Sequence, residues 1–304
     1  MDHAHEPKEV TVASGELEAT FLPDHGMRGS SLRHVPTGDE LLEPAREPDG
    51  REVDELRGLP ILAPWANRLA ARHYSFDGVV VDLEGLDLTT DAAGLPIHGT
   101  MADRPGWEVV DAGPSSFRAA FAYDAEDLLA AFPFPHTITL DVSMDGPVLT
   151  IATTLSPTGD RAVPVSFGFH PYFRLPGVGR EELVLRLPDR HLLCGDGGLP
   201  TGSAQAEAAE AAPLGDRTFD HLYVLGDDRR LGIEGGGRRI DVVCDEGYRW
   251  AQVYAPAGAD FVCLEPMTAP VNALVTGDGH HVAPGDSFTA RFSVHVHVGG
   301  GNPG

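Results

Sequence analysis

The chain has 304 residues, with 46 acidic and 22 basic side chains and a formal charge of −24 at pH 7. Such a field repels nucleic-acid backbones and anionic headgroups, so nucleic acid and membrane surfaces are disfavoured as partners, and phosphorylated ligands only mildly so. Three scattered cysteines, Cys194, Cys244 and Cys263, form no CxxC pair and no zinc-spaced cluster, which suits a reducing compartment.

In chain order, the N-terminus MDHAHEPKEV is polar and acidic, unlike a signal peptide, and no apolar run reaches membrane-spanning length. A soluble cytoplasmic protein is expected. The segment Gly58 to Arg68 holds two prolines and then Trp65, Asn67 and Arg68. An aromatic face beside hydrogen-bonding groups suits a sugar; an Arg that only makes a salt bridge is the plainer alternative. Pro96-Ile97-His98-Gly99 follows, either a ligand-facing turn or a loop histidine with no role. Asp124 to Ala131 has the makings of a short helical turn.

Strand signals then dominate. Thr137–Val142 and Val148–Leu155 alternate apolar and polar residues around Asp145-Gly146, a hairpin signature. Ser166 to Phe173 places His170 among aromatics, where an imidazole is either a core residue or an acid of near-neutral pKa. Leu183–Leu187, Arg249–Tyr254 and Phe288–Val298 also read as strands, and Thr201–Pro213 as an excursion loop between them. Asp220 precedes a strand, ordinarily as turn chemistry. Glu265 ends the apolar run Phe261 to Leu264, a costly place for a carboxylate unless it is paired or functional. His295 and His297 share one strand face but have no third metal ligand nearby in sequence. With 36 glycines and 25 prolines interrupting the strands, long helices are excluded and an all-β sandwich or barrel is expected. No nucleotide-binding or serine-hydrolase motif occurs, so no cofactor and no metal are expected.

Taken in order, these segments resemble the aldose 1-epimerase (mutarotase) family. The matching residues are Asn67-Arg68, His98-Gly99 with Trp107 downstream, Gly168 to Phe173, Leu199 to Gly202, Phe219-Asp220, and Cys263 to Pro266. The resemblance implies one domain over 1–304, a large antiparallel β-sandwich, with residues 1–7 and 299–304 as flexible tails. It implies Glu265 as general base and His170 as acid, with Arg68, His98, Asp220, Tyr172 and Asn67 binding substrate. The implied reaction is anomer exchange on a free aldohexose by ring opening and closure, with base and acid on opposite sides of the acetal. The partner is then a small monosaccharide, and the protein a monomer or homodimer. The residues flanking Tyr172 and following Pro266 depart from the galactose-type pattern. Rival readings are a hexose-6-phosphate epimerase, for which Arg57, Arg72 and Arg104 are the available cations, a sugar sensor without turnover, and a glycosidase using Asp220 and Glu265.

Overall fold

The computed structural model describes residues 9–44, 56–194 and 198–299. Two large antiparallel sheets face each other. One has nine strands, with the hairpin His136–Asp145 and Val148–Pro157, and the C-terminal strand Phe288–Val298, near its middle. The other has eight strands, including Phe219–Leu225, Trp250–Ala255, Phe261–Met267, Gly168–Phe169 and Ile61–Leu62. The period-two pattern explains the layering, because alternate side chains point to opposite faces. From the hairpin, Ile138, Leu140, Val142 and Ile151 enter the core; from the second sheet come Phe169, Val253, Val262 and Leu264. Phe169 meets Phe292 across the layers at 5.0 Å.

The helical turn predicted near Asp124 is a helix over Glu126–Ala131. The excursion loop is not wholly irregular. It contains edge strands Gln205–Glu207 and Glu210–Pro213, one on each large sheet, and its Ala/Glu composition concealed them because edge strands need no apolar alternation. Residues 1–7 lie outside the described residues, as does the end of the chain from residue 300. Gly299 is described, and its amide donates to the Gly237 carbonyl. Among the described residues no helix is long and apolar enough to cross a membrane.

The second sheet positions the site. All seven residues of Phe261–Met267 are buried. Val262 and Leu264 face the main core, while Cys263, Glu265 and Met267 face the other way and are covered by loops and by Tyr172. Glycines let those loops approach. Gly99 has φ +67, and a Cβ there would lie 2.2 Å from the Ala63 carbonyl oxygen. Gly99→Ala is therefore expected to destabilise the fold by about 2 kcal/mol, combining left-handed strain with a backbone clash. A melting temperature lower by about 3 °C is the expected reading for a domain of this size, and an unchanged melt would show that this loop relaxes freely.

Candidate active site

Glu265 is 1% exposed. Its cross-strand partner is Gln252, and the same sheet row continues to Leu222. His170 follows the short strand Gly168–Phe169, with its amide donating to the Pro60 carbonyl. Gly168 permits this docking, since a Cβ there would come within 2.7 Å of the Pro266 carbonyl oxygen. The result is a direct meeting of two side chains far apart in sequence, with His170 Nε2 3.4 Å from Glu265 Oε1. Tyr172 stacks face to face on the imidazole at 4.5 Å, and His98 meets it edge-on at 5.3 Å.

A polar chain completes the arrangement. Arg68 Nε donates to Asp91 Oδ2 at 3.2 Å, and Arg68 Nη2 lies 3.6 Å from Asp220 Oδ2. Gln252 Nε2 donates to Asp220 Oδ1 at 2.5 Å, which closes the chain back to the strand that carries Glu265. Several buried atoms here have no hydrogen-bond partner among the described residues: Glu265 Oε2, His170 Nδ1, His98 Nδ1, Arg68 Nη1 and Gln252 Oε1. Buried polar atoms left unpaired are costly, and a cluster of donors and acceptors suits a ligand bearing several hydroxyls.

The electrostatics of the central pair are opposed. Burial pushes the Glu265 carboxyl well above the usual range and Asp220 adds to this, while Arg68 works against it. Burial pushes His170 well down, with His98 and Arg57 acting in the same direction. Both shifts favour neutral side chains, so the resting pair holds one proton. Burial, with Arg68 adding, also brings His98 down to about 3.

His136 lies outside the site, in the core, and burial holds it down at about 4 against a weaker opposing hydrogen bond to the Phe134 carbonyl. These depressed imidazoles set an acid limit. A His whose folded pKa lies below its unfolded value of about 6.5 contributes full stability above that pH and loses it as pH falls toward the folded value. Glu265 has the opposite sign: its contribution is complete below its unfolded pKa and is lost as pH rises. Between about pH 4.5 and 6.5 the histidines outnumber it, with each fully shifted group contributing about 1.4 kcal/mol per pH unit. Melting temperature is expected to climb from pH 5 to 7. A flat or falling profile would show that these imidazoles are protonated in the folded state.

The expected site residues have different fates. Glu265, His170, His98, Arg68 and Asp220 come together. Tyr172 is present, but its ring is applied to His170, with the Arg57 guanidinium 5.5 Å from its centroid. Asn67 is turned to backbone work: with φ 58 its Oδ1 accepts the Arg68 amide. Trp65, read from sequence as a sugar platform, is fully buried in the main core. Of the three arginines available for a phosphate, Arg104 forms a bidentate pair with Asp127 and Arg72 donates to the carbonyls of Leu83 and Gly94. His297 pairs with Asp241 at 3.3 Å and His295 contacts Ser293 at 3.0 Å, both on the nine-stranded sheet. Sequence reasoning missed Gln252 and Asp91. The first is visible only through strand register, and the second resembles any turn aspartate.

The family model described as Aldose 1-epimerase matches residues 21–295. The aldose 1-epimerase of Escherichia coli (strain K12) is 26% identical over 176 residues, covering 56% of this chain and 49% of that protein. The match thus spans about half the length of that curated relative. A galactose mutarotase-like protein from Clostridium acetobutylicum superposes with a TM-score of 0.84 at 19% identity, covering 96% of each chain. A protein from Synechocystis sp. PCC 6803 superposes with a TM-score of 0.80 at 23% identity, covering 98% of each.

Proposed function

Because the chain belongs to the aldose 1-epimerase family, we propose that it interconverts the α and β anomers of a free aldohexose, with Glu265 as base and His170 as acid. The observation that carries this reading is the 3.4 Å contact between His170 Nε2 and Glu265 Oε1. Sequence reasoning set the two groups on opposite sides of the acetal; side by side they serve the same chemistry. The C1 hydroxyl oxygen and the ring oxygen are bonded to one carbon, so an acid and a base 3.4 Å apart reach both.

The pair begins with its proton on Glu265. Transfer to His170 Nε2 creates the carboxylate and the imidazolium without exchange with solvent. Glu265 then takes the C1 hydroxyl proton as His170 protonates the ring oxygen. The C1–ring oxygen bond breaks, the C1 carbonyl forms, and the pair returns to its resting proton count. Rotation about C1–C2 presents the other carbonyl face, and the reverse transfers close the ring. Each positioned proton transfer contributes ~10²–10⁴-fold. Arg68 Nη1, His98 Nδ1 and Gln252 Oε1 are unpartnered and buried, and would bind sugar oxygens.

A phosphorylated substrate is less well supported, because Arg72 and Arg104 are already engaged, Arg57 lies over the Tyr172 and Phe261 rings with Nη1 3.9 Å from Glu43, and Arg68 lies between two carboxylates. A glycosidase would use Glu265 with a second carboxylate, but Glu265 Oε1 contacts an imidazole and Asp220 is engaged by Gln252 and Arg68. Polarimetry on freshly dissolved α-glucose, α-galactose and their 6-phosphates tests the proposal. Loss of excess rotation faster than the spontaneous rate is expected with a free sugar. Acceleration confined to the phosphates would transfer the function to sugar phosphates, and binding of the sugars without acceleration would make the protein a sensor.

A further inference from the structure

Asp91 divides its two carboxylate oxygens between separate tasks. Oδ1 accepts the amides of Ala93 at 2.9 Å and Leu95 at 3.0 Å, while Oδ2 accepts Arg68 Nε at 3.2 Å. The turn is closed by the Asp91 amide on the Leu95 carbonyl and the Gly94 amide on the Asp91 carbonyl, both at 2.9 Å, with Gly94 at φ +80. Immediately after it, the Leu69 amide donates to Pro96, Ile97 bridges Arg68, and the His98 amide donates to the Asn67 carbonyl. One side chain therefore ties the Arg68 guanidinium to the loop that delivers His98.

We propose that Asp91 is a positioning residue for sugar binding: it holds Arg68 by Nε, so that Nη2 faces Asp220 and Nη1 is kept for the ligand. This inference rests on the reading of Arg68 as a sugar-binding group. The physical need is plain. An arginine side chain has many rotamers to lose on binding, and a guanidinium fixed beforehand loses less of that freedom. Asp220 alone cannot fix the plane, since its contact with Nη2 is 3.6 Å and its Oδ1 is engaged by Gln252. Asp91 is suited to the task as an ionised group. Burial would raise its carboxyl, but the amides of Leu95 and Ala93 and the Arg68 guanidinium outweigh that and hold it below the usual range. Asp91 and Arg68 are 14% and 15% exposed, so the pair is largely shielded from solvent screening.

The division of labour makes Asp91→Asn a selective probe. The amide oxygen can still accept from Ala93 and Leu95, whereas an NH₂ in place of Oδ2 cannot accept from Arg68 Nε. The experiment is a double-mutant cycle of Asp91→Asn and Arg68→Ala. It reads KM and kcat from polarimetry, glucose and galactose affinity from calorimetry, and melting temperature. Asp91→Asn is expected to weaken sugar binding about tenfold, with kcat within about threefold and the melt only a few degrees lower, because Arg68 Nε loses its acceptor while Nη2 keeps Asp220. In the Arg68→Ala background the same change is expected to add nothing. Unchanged affinity in the single mutant, or two effects that simply multiply, would overturn the role. Wild-type protein that binds sugar without turnover would sink the epimerase reading separately, while the affinity cycle would still decide for or against Asp91.

Discussion

Glu265→Gln is expected to lower the epimerisation rate ~10²-fold or more while sugar affinity stays close to wild type and the melting temperature at neutral pH is unchanged or higher. The carboxyl sits in a 1% exposed position, and burial favours its protonated form. A carboxamide has nearly the same shape as a protonated carboxyl and is also neutral, so the exchange leaves no uncompensated charge in the core. It removes only the ability to release and regain a proton. If Glu265 were instead an ionised structural partner, its loss would destabilise the fold by about 3–5 kcal/mol, because a charge would be left buried alone. The measurement is therefore paired: thermal melting, and the decay of excess rotation of fresh α-glucose corrected for the spontaneous rate. An early melt with normal turnover would remove Glu265 from the chemistry.

His170→Asn is expected to cost ~10²-fold or more in kcat, against a far smaller loss for His98→Asn. His170 is the imidazole in contact with Glu265 and the one stacked on Tyr172, so it can exchange a proton with the base. His98 touches it edge-on and presents a buried, unpartnered Nδ1, as a group binding ground state and transition state alike would. His98→Asn should mainly raise KM. The comparison is clean on the folding side, because His98 has φ 65 and asparagine is among the residues that tolerate the left-handed region best. Adding His170→Asn to Glu265→Gln should cost little more than either alone, since the two act as one proton-sharing unit. A larger kcat loss at His98, or independent multiplying effects of Glu265 and His170, would reverse the assignment.

The sequence by itself determined the all-β class, the hairpin around Asp145-Gly146, the short helix near Glu126 and the set of polar residues from which the site is built. Each of these is local. Alternation at period two, glycine and proline at turns, and a carboxylate at the end of an apolar strand can all be read within a few residues. Tertiary structure decided which of those residues meet. Glu265 and His170 become neighbours only because Gly168 lets one strand end approach Pro266 closely, a cross-strand packing fact that no window of sequence contains. The same holds for residues whose roles differed from expectation. Trp65 and Arg68 lie in one segment, yet that segment turns the indole into the core and the guanidinium into the site, and Asn67 between them serves the turn. Gln252 enters through strand register and Asp91 through the docking of a loop. Local pattern determines which faces are apolar; the packing of distant strands and loops determines which polar groups share a space, and so what chemistry that space performs.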